Sequence, residues 1–181
     1  MRKMRKKFQF LRKMLHKKRI LCYTQNKEGV FFMSNVINIS NYIIKYCMEK
    51  EYKITNLRLQ KILYYIQGYF FKAYDQPAFL EEIVAWPYGP VVPEAYYNFC
   101  SFGRDDLCLY ENIEYDFSSI SKEEKKYINT IVDICSSISV TELVNKTHSE
   151  EPWKTTQERA IIDFEKIAGF FQFNDPLGIG V

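Results

Sequence analysis

The stretch that decides the fold is residues 55–99, TNLRLQKILYYIQGYFFKAYDQPAFLEEIVAWPYGPVVPEAYYNF. Its first part has apolar residues at helical spacing, which predicts one long helix over residues 56–74. One apolar face consists of Leu59, Ile62, Leu63, Ile66, Phe70 and Ala73. A second face consists of Gln60, Tyr64, Gln67 and Phe71, which leaves a narrow polar stripe of Arg58, Lys61, Tyr65 and Lys72. A helix that is apolar around most of its circumference is typical of a buried central helix.

Gly68 interrupts this helical pattern. A glycine there weakens a helix by about 1 kcal/mol relative to alanine. We therefore expect Gly68 to allow another backbone to approach closely.

A proline-rich turn follows, at residues 86–94. Gly89 precedes Pro90, and this order favours a non-helical turn. Pro93 suits the first turn of a second helix, where its missing N–H costs nothing, and Glu94 there favours the helix dipole. The residues before the turn, 82–86, are able to form a strand.

The rest of the chain predicts further helices. The apolar periodicity and the capping residues place them at residues 36–50, after Ser121, after Ser139 and after Asp163. We expect a mainly α fold, a compact bundle of about six helices around the central buried helix. At most a small β-hairpin or short sheet is expected, formed from residues 82–86 and 107–115.

Charge divides the chain into unequal parts. Residues 1–32 hold 11 Lys or Arg and one acidic residue, a net charge of +10, whereas the remainder carries −7. We expect a basic N-terminal extension over residues 1–32, a folded domain over 33–173 and a frayed tail over 174–181. The acidic balance of the folded part does not favour nucleic-acid binding.

The N-terminal extension has three interpretations. Its apolar residues lie on one helical face among cations, and they are Met4, Phe8, Leu11 and Leu15. Such a segment could bind an anionic membrane or a nucleic acid, or be disordered. It is not a signal peptide, because no apolar region follows the charges. It could also be a non-native extension, with Met33 as the natural start.

Cofactor, metal and membrane functions find no support in the sequence. No apolar run is long enough to span a bilayer, and no glycine-rich phosphate loop is present. The five cysteines are Cys22, Cys47, Cys100, Cys108 and Cys135. Their odd number and the absence of CxxC spacing favour buried, reduced thiols in a cytoplasmic protein. We expect no metal, since one histidine and scattered cysteines do not make a four-ligand site.

His148 is the one histidine after residue 32. A Cys–His hydrolase would need a thiolate within hydrogen-bond reach of it, from Cys47, Cys100 or Cys135. The simpler interpretation is that His148 caps a helix end and packs near Trp153. We expect no enzyme, with the hydrolase kept as an alternative.

Aromatic residues near the proline-rich turn have two interpretations. The set is Trp86, Tyr88, Tyr96, Tyr97 and Trp153. They could pack the core and the turn. They could also form a partner-binding patch, because aromatic side chains at a rigid turn often act as hot spots.

Several short motifs together resemble a known family, the Panacea domain, also met as the SocA-like or GepA-type phage-associated domain. In the central stretch they are residues 59–65, Gln67-Gly68, Ala85-Trp86 and Gly89-Pro90-Val91-Val92-Pro93 running to Tyr96. Downstream they are Leu143, Thr147-His148 and Pro152-Trp153. The resemblance covers about residues 36–171. Pro87 departs from the pattern, since the family usually has a long polar residue there.

The resemblance implies an antitoxin that neutralises a cognate protein toxin by direct binding. Relatives pair with unrelated toxins, some hand the toxin to a host protease as adaptors, and many are carried by prophages. The alternative is a phage or mobile-element protein that blocks a host defence protein. Candidate partner-binding residues are Trp86, Tyr88, Gly89, Pro90, Val91, Tyr96, Tyr97, His148 and Trp153. No cofactor is implied, and the oligomeric state is left open.

Overall fold

The structure is a computed structural model that describes residues 23–26, 29–32 and 35–180. The chain divides into two compact units, Met1–Met33 and Ser34–Val181. The predicted amphipathic face from Met4 to Leu15, and Cys22, lie outside the described residues.

In the first unit, the described residues form a β-hairpin. Strand β1 (Tyr23–Asn26) pairs antiparallel with β2 (Gly29–Phe32), so that Tyr23 lies opposite Phe32.

Helices dominate the second unit, as the sequence predicts. They are α1 (Val36–Glu49), α2 (Asn56–Tyr74), α3 (Pro93–Asn98), α4 (Lys122–Ser137), α5 (Val140–Ser149), α6 (Glu151–Lys154) and α7 (Phe164–Phe173). A 3₁₀ turn at Cys100–Phe102 follows α3. The mainly α fold with a small sheet is confirmed. No helix in the described part of the chain is both long enough and apolar enough to cross a bilayer.

Helix starts follow from local capping. Asn35 Oδ1 accepts from the N–H groups of Ile37 and Asn38 at 2.8 and 3.0 Å and so begins α1. Ser121 and Glu124 form the predicted capping box at α4. Asp163 precedes α7 as predicted, but its side chain makes no capping hydrogen bond.

Helix α2 is the centre of the second unit, which confirms the prediction. Fourteen of its 19 residues are buried, and it packs against α1, α3, α4, α5, α7 and strand β4. The predicted polar stripe needs correction, because Lys61 and Tyr65 are fully buried. Helices pack on every side of α2, so even the face with a lysine is shielded from water.

Gly68 allows a close approach, but of a side chain and not of a backbone. A Cβ atom at this position would lie 2.2 Å from Cε2 of Phe171 on α7. Phe171 is fully buried, and its ring also packs edge-on against Tyr64 and Tyr69 at centroid distances of 5.7 and 5.1 Å. The missing side chain therefore makes room for an aromatic ring in the core.

The small sheet is a hairpin of β3 (Val84–Trp86) and β4 (Gly89–Val91), with Val84 opposite Val91. The prediction that residues 107–115 supply its second strand is wrong, since they form no strand. The tight turn after Trp86 reverses the chain direction within two residues, so β3 pairs with β4. On its other edge β3 forms a bridge from Val84 to Ile161.

The C-terminal segment, described to residue 180, is attached to α2. The Tyr69 hydroxyl donates to Asp175 Oδ1 and accepts from the Leu177 N–H at 2.8 Å. Leu177 and Ile179 are partly buried against the core. These contacts are not those of a frayed end, so that expectation needs correction for residues 174–180.

Candidate functional site

Three of the predicted aromatic residues form one cluster around the β3–β4 hairpin. Trp86 ends β3, and its ring centroid lies 4.9 Å from that of Tyr96 and 6.2 Å from that of Tyr97, both on α3. Tyr88 occupies the turn of the hairpin and is 69% exposed, while Tyr97 is 63% exposed. We call Trp86, Tyr88, Tyr96 and Tyr97 the hairpin surface.

The other predicted residues of this stretch lie beneath that surface. Gly89, Pro90 and Val91 form strand β4 and are buried. These three residues are therefore shielded from solvent and lie under the exposed tyrosines. Trp153 and His148 are half-buried and lie on α6 and α5.

Side chains of α2 hold the hairpin from below. The Lys61 ammonium group donates to the Pro90 carbonyl at 3.1 Å, and the Val92 N–H donates to Gln60 Oε1 at 2.9 Å. Asn56 Nδ2 donates to the Tyr96 carbonyl at 3.0 Å and so fixes α3 to the same helix. The first two bonds satisfy the Pro90 carbonyl in β4 and the Val92 N–H that directly follows the strand. Buried backbone groups need such partners.

A second group of side chains holds the hairpin from α5 and α6. The Trp153 indole N–H donates to the Trp86 carbonyl at 3.0 Å. The His148 ring stacks on Trp153 with centroids 3.9 Å apart and planes 11° from parallel. The packing of His148 near Trp153 is as predicted. We call Gln60, Lys61, His148 and Trp153 the clamp.

Gly89 is where the clamp meets the hairpin. Its φ of +100° is a conformation that residues with a side chain rarely adopt. A Cβ atom there would also lie 2.7 Å from Lys61 Nζ and 2.8 Å from Thr147 Oγ1. Glycine is required at this position for both reasons.

Burial governs the charges of the clamp. Lys61 is fully buried, which lowers the pKa of its amine to about 7. Burial, together with the nearby Lys61, also lowers the pKa of His148. The Lys61 amine therefore loses much of its charge near neutral pH, and its bond to Pro90 serves mainly to position the hairpin.

Glu150 is a buried acid at the end of α5, beside α2. Its Oε1 accepts from the Tyr65 hydroxyl at 2.9 Å, and burial raises the pKa of its carboxyl to about 7. Neither Lys61 nor Glu150 is predicted from the sequence to be an interior group. The signal that was present is the grouping of Gln60-Lys61 with Thr147-His148 in the family motifs.

The alternative of a Cys–His hydrolase gains nothing from the geometry. Burial raises the pKa of the Cys47 and Cys135 thiols to about 12, the opposite of what an activated nucleophile needs. Cys100 and Cys108 are exposed. Among the described residues, no hydrogen bond joins His148 to a cysteine, and no group of three or more His, Cys, Asp or Glu is placed to hold a metal ion.

Comparison with known proteins identifies the family. The family described as "Antitoxin SocA-like, Panacea domain" matches residues 59–154, which is more than half of the chain. The chain belongs to the SocA-like antitoxin family. No curated protein and no solved structure matches it.

Membership of this family assigns the protein a general role in a toxin–antitoxin system, with a toxin as its partner. It also favours a non-enzymatic role. The residues matched to the Panacea domain include the whole hairpin surface and the whole clamp. The motif residues Gln60, Lys61, Gly89 and Trp153 are therefore those that position the β3–β4 hairpin in this SocA-like protein.

Proposed function

We propose that this protein neutralises its cognate toxin by direct, stoichiometric binding through the hairpin surface. The observation that carries the proposal is the exposure of Tyr88 and Tyr97, at 69% and 63%, on a hairpin held by buried hydrogen bonds. Large aromatic side chains on a well-ordered backbone are typical of binding hot spots.

The hairpin is ordered before a partner arrives. Pro87, Pro90 and Pro93 restrict three φ angles within a short stretch. The clamp adds hydrogen bonds to the carbonyls of Trp86 and Pro90. Binding then costs little conformational entropy, because the surface does not have to be ordered at the moment of contact.

The hairpin surface is nearly uncharged. Between Val84 and Val92 the chain has no Asp, Glu, Lys, Arg or His, and among these residue types α3 adds only Glu94. A toxin would therefore be bound through apolar contact and tyrosine hydroxyl groups more than through ion pairs.

The test uses Tyr88→Ala and Tyr97→Ala. Both side chains are largely exposed, so each variant should keep its free energy of unfolding within about 1 kcal/mol of the parent. Each should lose most of its ability to rescue cells from the cognate toxin. Phe173→Ala is the matched control, because Phe173 is 85% exposed and lies on α7, outside the hairpin surface. It should rescue normally.

Two results would overturn the proposal. One is full rescue by both tyrosine variants. The other is rescue by protein present far below the toxin concentration in cells that lack the relevant protease, since a stoichiometric binder cannot neutralise an excess. Substoichiometric rescue that requires a host protease would instead identify the protein as an adaptor for degradation.

A further inference from the structure

The connection between the 3₁₀ turn and α4, residues 103–121, is long and has no helix or strand. Connections longer than about 12–15 residues without regular structure are uncommon in compact domains and are often functional. This one is nevertheless held in place. Leu107 and Ile120 are buried, and the Leu107 N–H donates to the Ile54 carbonyl at 2.7 Å. Near its end Asn38 Nδ2 donates to Ser119 Oγ at 2.9 Å.

The connection presents apolar side chains to solvent. Tyr110 is 60% exposed and Ile113 is 52% exposed, and Met48 of α1 is 49% exposed. The Leu109 N–H lies 3.5 Å from Met48 Sδ, and the Ile113 N–H donates to the Tyr110 carbonyl. These contacts place Met48, Tyr110 and Ile113 in one neighbourhood, which we call the loop surface.

Acidic residues surround the loop surface. Residues 104–118 hold five acids, namely Asp105, Asp106, Glu111, Glu114 and Asp116, and one base, Arg104. Glu111 and Glu114 flank Ile113 in the sequence, are exposed, and form no ion pair with another described residue. The nearby Lys45 is engaged by Glu49 at 3.8 Å and lies over the Phe117 ring. Within residues 104–118, acidic side chains therefore outnumber basic ones by five to one.

We propose that the loop surface is a second docking surface, which takes a cationic amphipathic segment of a protein partner. The apolar residues of the partner segment would cover Tyr110 and Ile113, while the Lys or Arg side chains of that segment would lie beside Glu111 and Glu114. Nucleic acids and anionic membranes are disfavoured as occupants, because both carry the same sign of charge as this surface.

The loop surface shares no residue with the hairpin surface, and this inference extends beyond the proposed function. None of Met48, Tyr110 and Ile113 belongs to the hairpin surface, and Tyr110 and Ile113 follow α3 by more than ten residues. A substitution in one surface leaves the residues of the other surface unchanged. The two proposals can therefore fail independently.

The experiment measures binding of a fluorescent 14-residue peptide of leucine and lysine, arranged as an amphipathic helix, to the full chain. The matched peptide has glutamate in place of lysine. Two double variants test the surface, Tyr110→Ser with Ile113→Ser and Glu111→Gln with Glu114→Gln. Tyr88→Ser with Tyr97→Ser is the control, since it removes comparable exposed side chains from the other surface.

We expect each loop variant to weaken binding of the lysine peptide by about tenfold or more, with the control unchanged. Binding should also weaken as salt rises from about 0.05 to about 0.3 M, because salt screens exposed charges. Equal binding by loop variants and parent would overturn the proposal, as would equal binding of the glutamate peptide. If the parent forms a dimer that the loop variants lose, the occupant is a second copy of this chain and the assignment to a cationic partner segment is wrong.

Discussion

At the scale of single residues, the charge of Lys61 in the clamp depends on its burial. Lys61 is fully buried and donates to the Pro90 carbonyl, and its Nζ would lie 2.7 Å from a Cβ atom at position 89. A buried amine is costly when charged, so its position has a consequence for stability that depends on pH.

We predict that Lys61→Met stabilises the fold most at low pH. The amine pKa falls from 10.5 in the unfolded chain to about 7 in the folded protein. Between these values the unfolded state binds more protons, so the stability of the parent rises with pH. Below pH 7 the free-energy cost of burying the charged Lys61 amine is fully present, and above pH 10.5 this cost is absent. The advantage of the methionine variant should therefore shrink as pH rises through this window.

Urea unfolding of parent and variant at several pH values between about 6 and 10 measures this difference. Lys126→Met on the exposed side of α4 controls for the loss of a surface charge. An advantage of Lys61→Met that is the same at every pH would show that the Lys61 amine does not titrate in this window. Partner binding by Lys61→Met should weaken, since the hairpin loses one of the bonds that position it.

At the scale of elements, α2 determines the packing of the second unit. Leu63 and Ile66 are fully buried on it, and the helix contacts α1, α3, α4, α5, α7 and β4. Capping by Asn35, Thr55 and Ser121 explains where three of the helices begin. The burial of α2 explains how the helices are arranged around it.

We predict that Leu63→Ala and Ile66→Ala each destabilise the protein by roughly 2–5 kcal/mol, since each leaves a cavity in a dense core. Denaturant unfolding provides the measurement. Ile161→Ala is a suitable control because Ile161 is 49% exposed. If both core variants lose less than about 1 kcal/mol, α2 is not the centre of the core.

At the scale of the whole molecule, charge and compactness divide the chain at the same place. Residues 1–32 carry +10 and the remainder −7, and the boundary between the compact units follows Met33. The second unit contains all the residues matched to the antitoxin family.

We predict that a chain beginning at Met33 folds as stably as the full chain. The reason is that the core residues from Val36 to Phe171 all belong to the second unit. Thermal unfolding of the two forms is the measurement. A midpoint several degrees lower for the shortened chain would show that residues 1–32 stabilise the fold.

Local patterns in the sequence predict six of the seven α-helices described in the second unit and the starts of several of them, but not the short α6. Apolar periodicity in residues 56–74 and the caps at Asn35 and Ser121 are local features, formed by residues within a few positions of one another. The family motifs likewise were visible as short runs. Local patterns of this kind depend on backbone geometry that every chain shares.

Which of these residues are buried, and which of them contact one another, depends on the packing of segments that are distant in the chain. Lys61, Gly89 and Thr147 are far apart in the chain, yet they converge at one point beneath the hairpin. Helical spacing places Lys61 on a polar stripe, but packing of α5 and β4 against that stripe excludes water from it. Burial depends on what the rest of the chain lays over a residue, and the spacing within one helix does not contain that information.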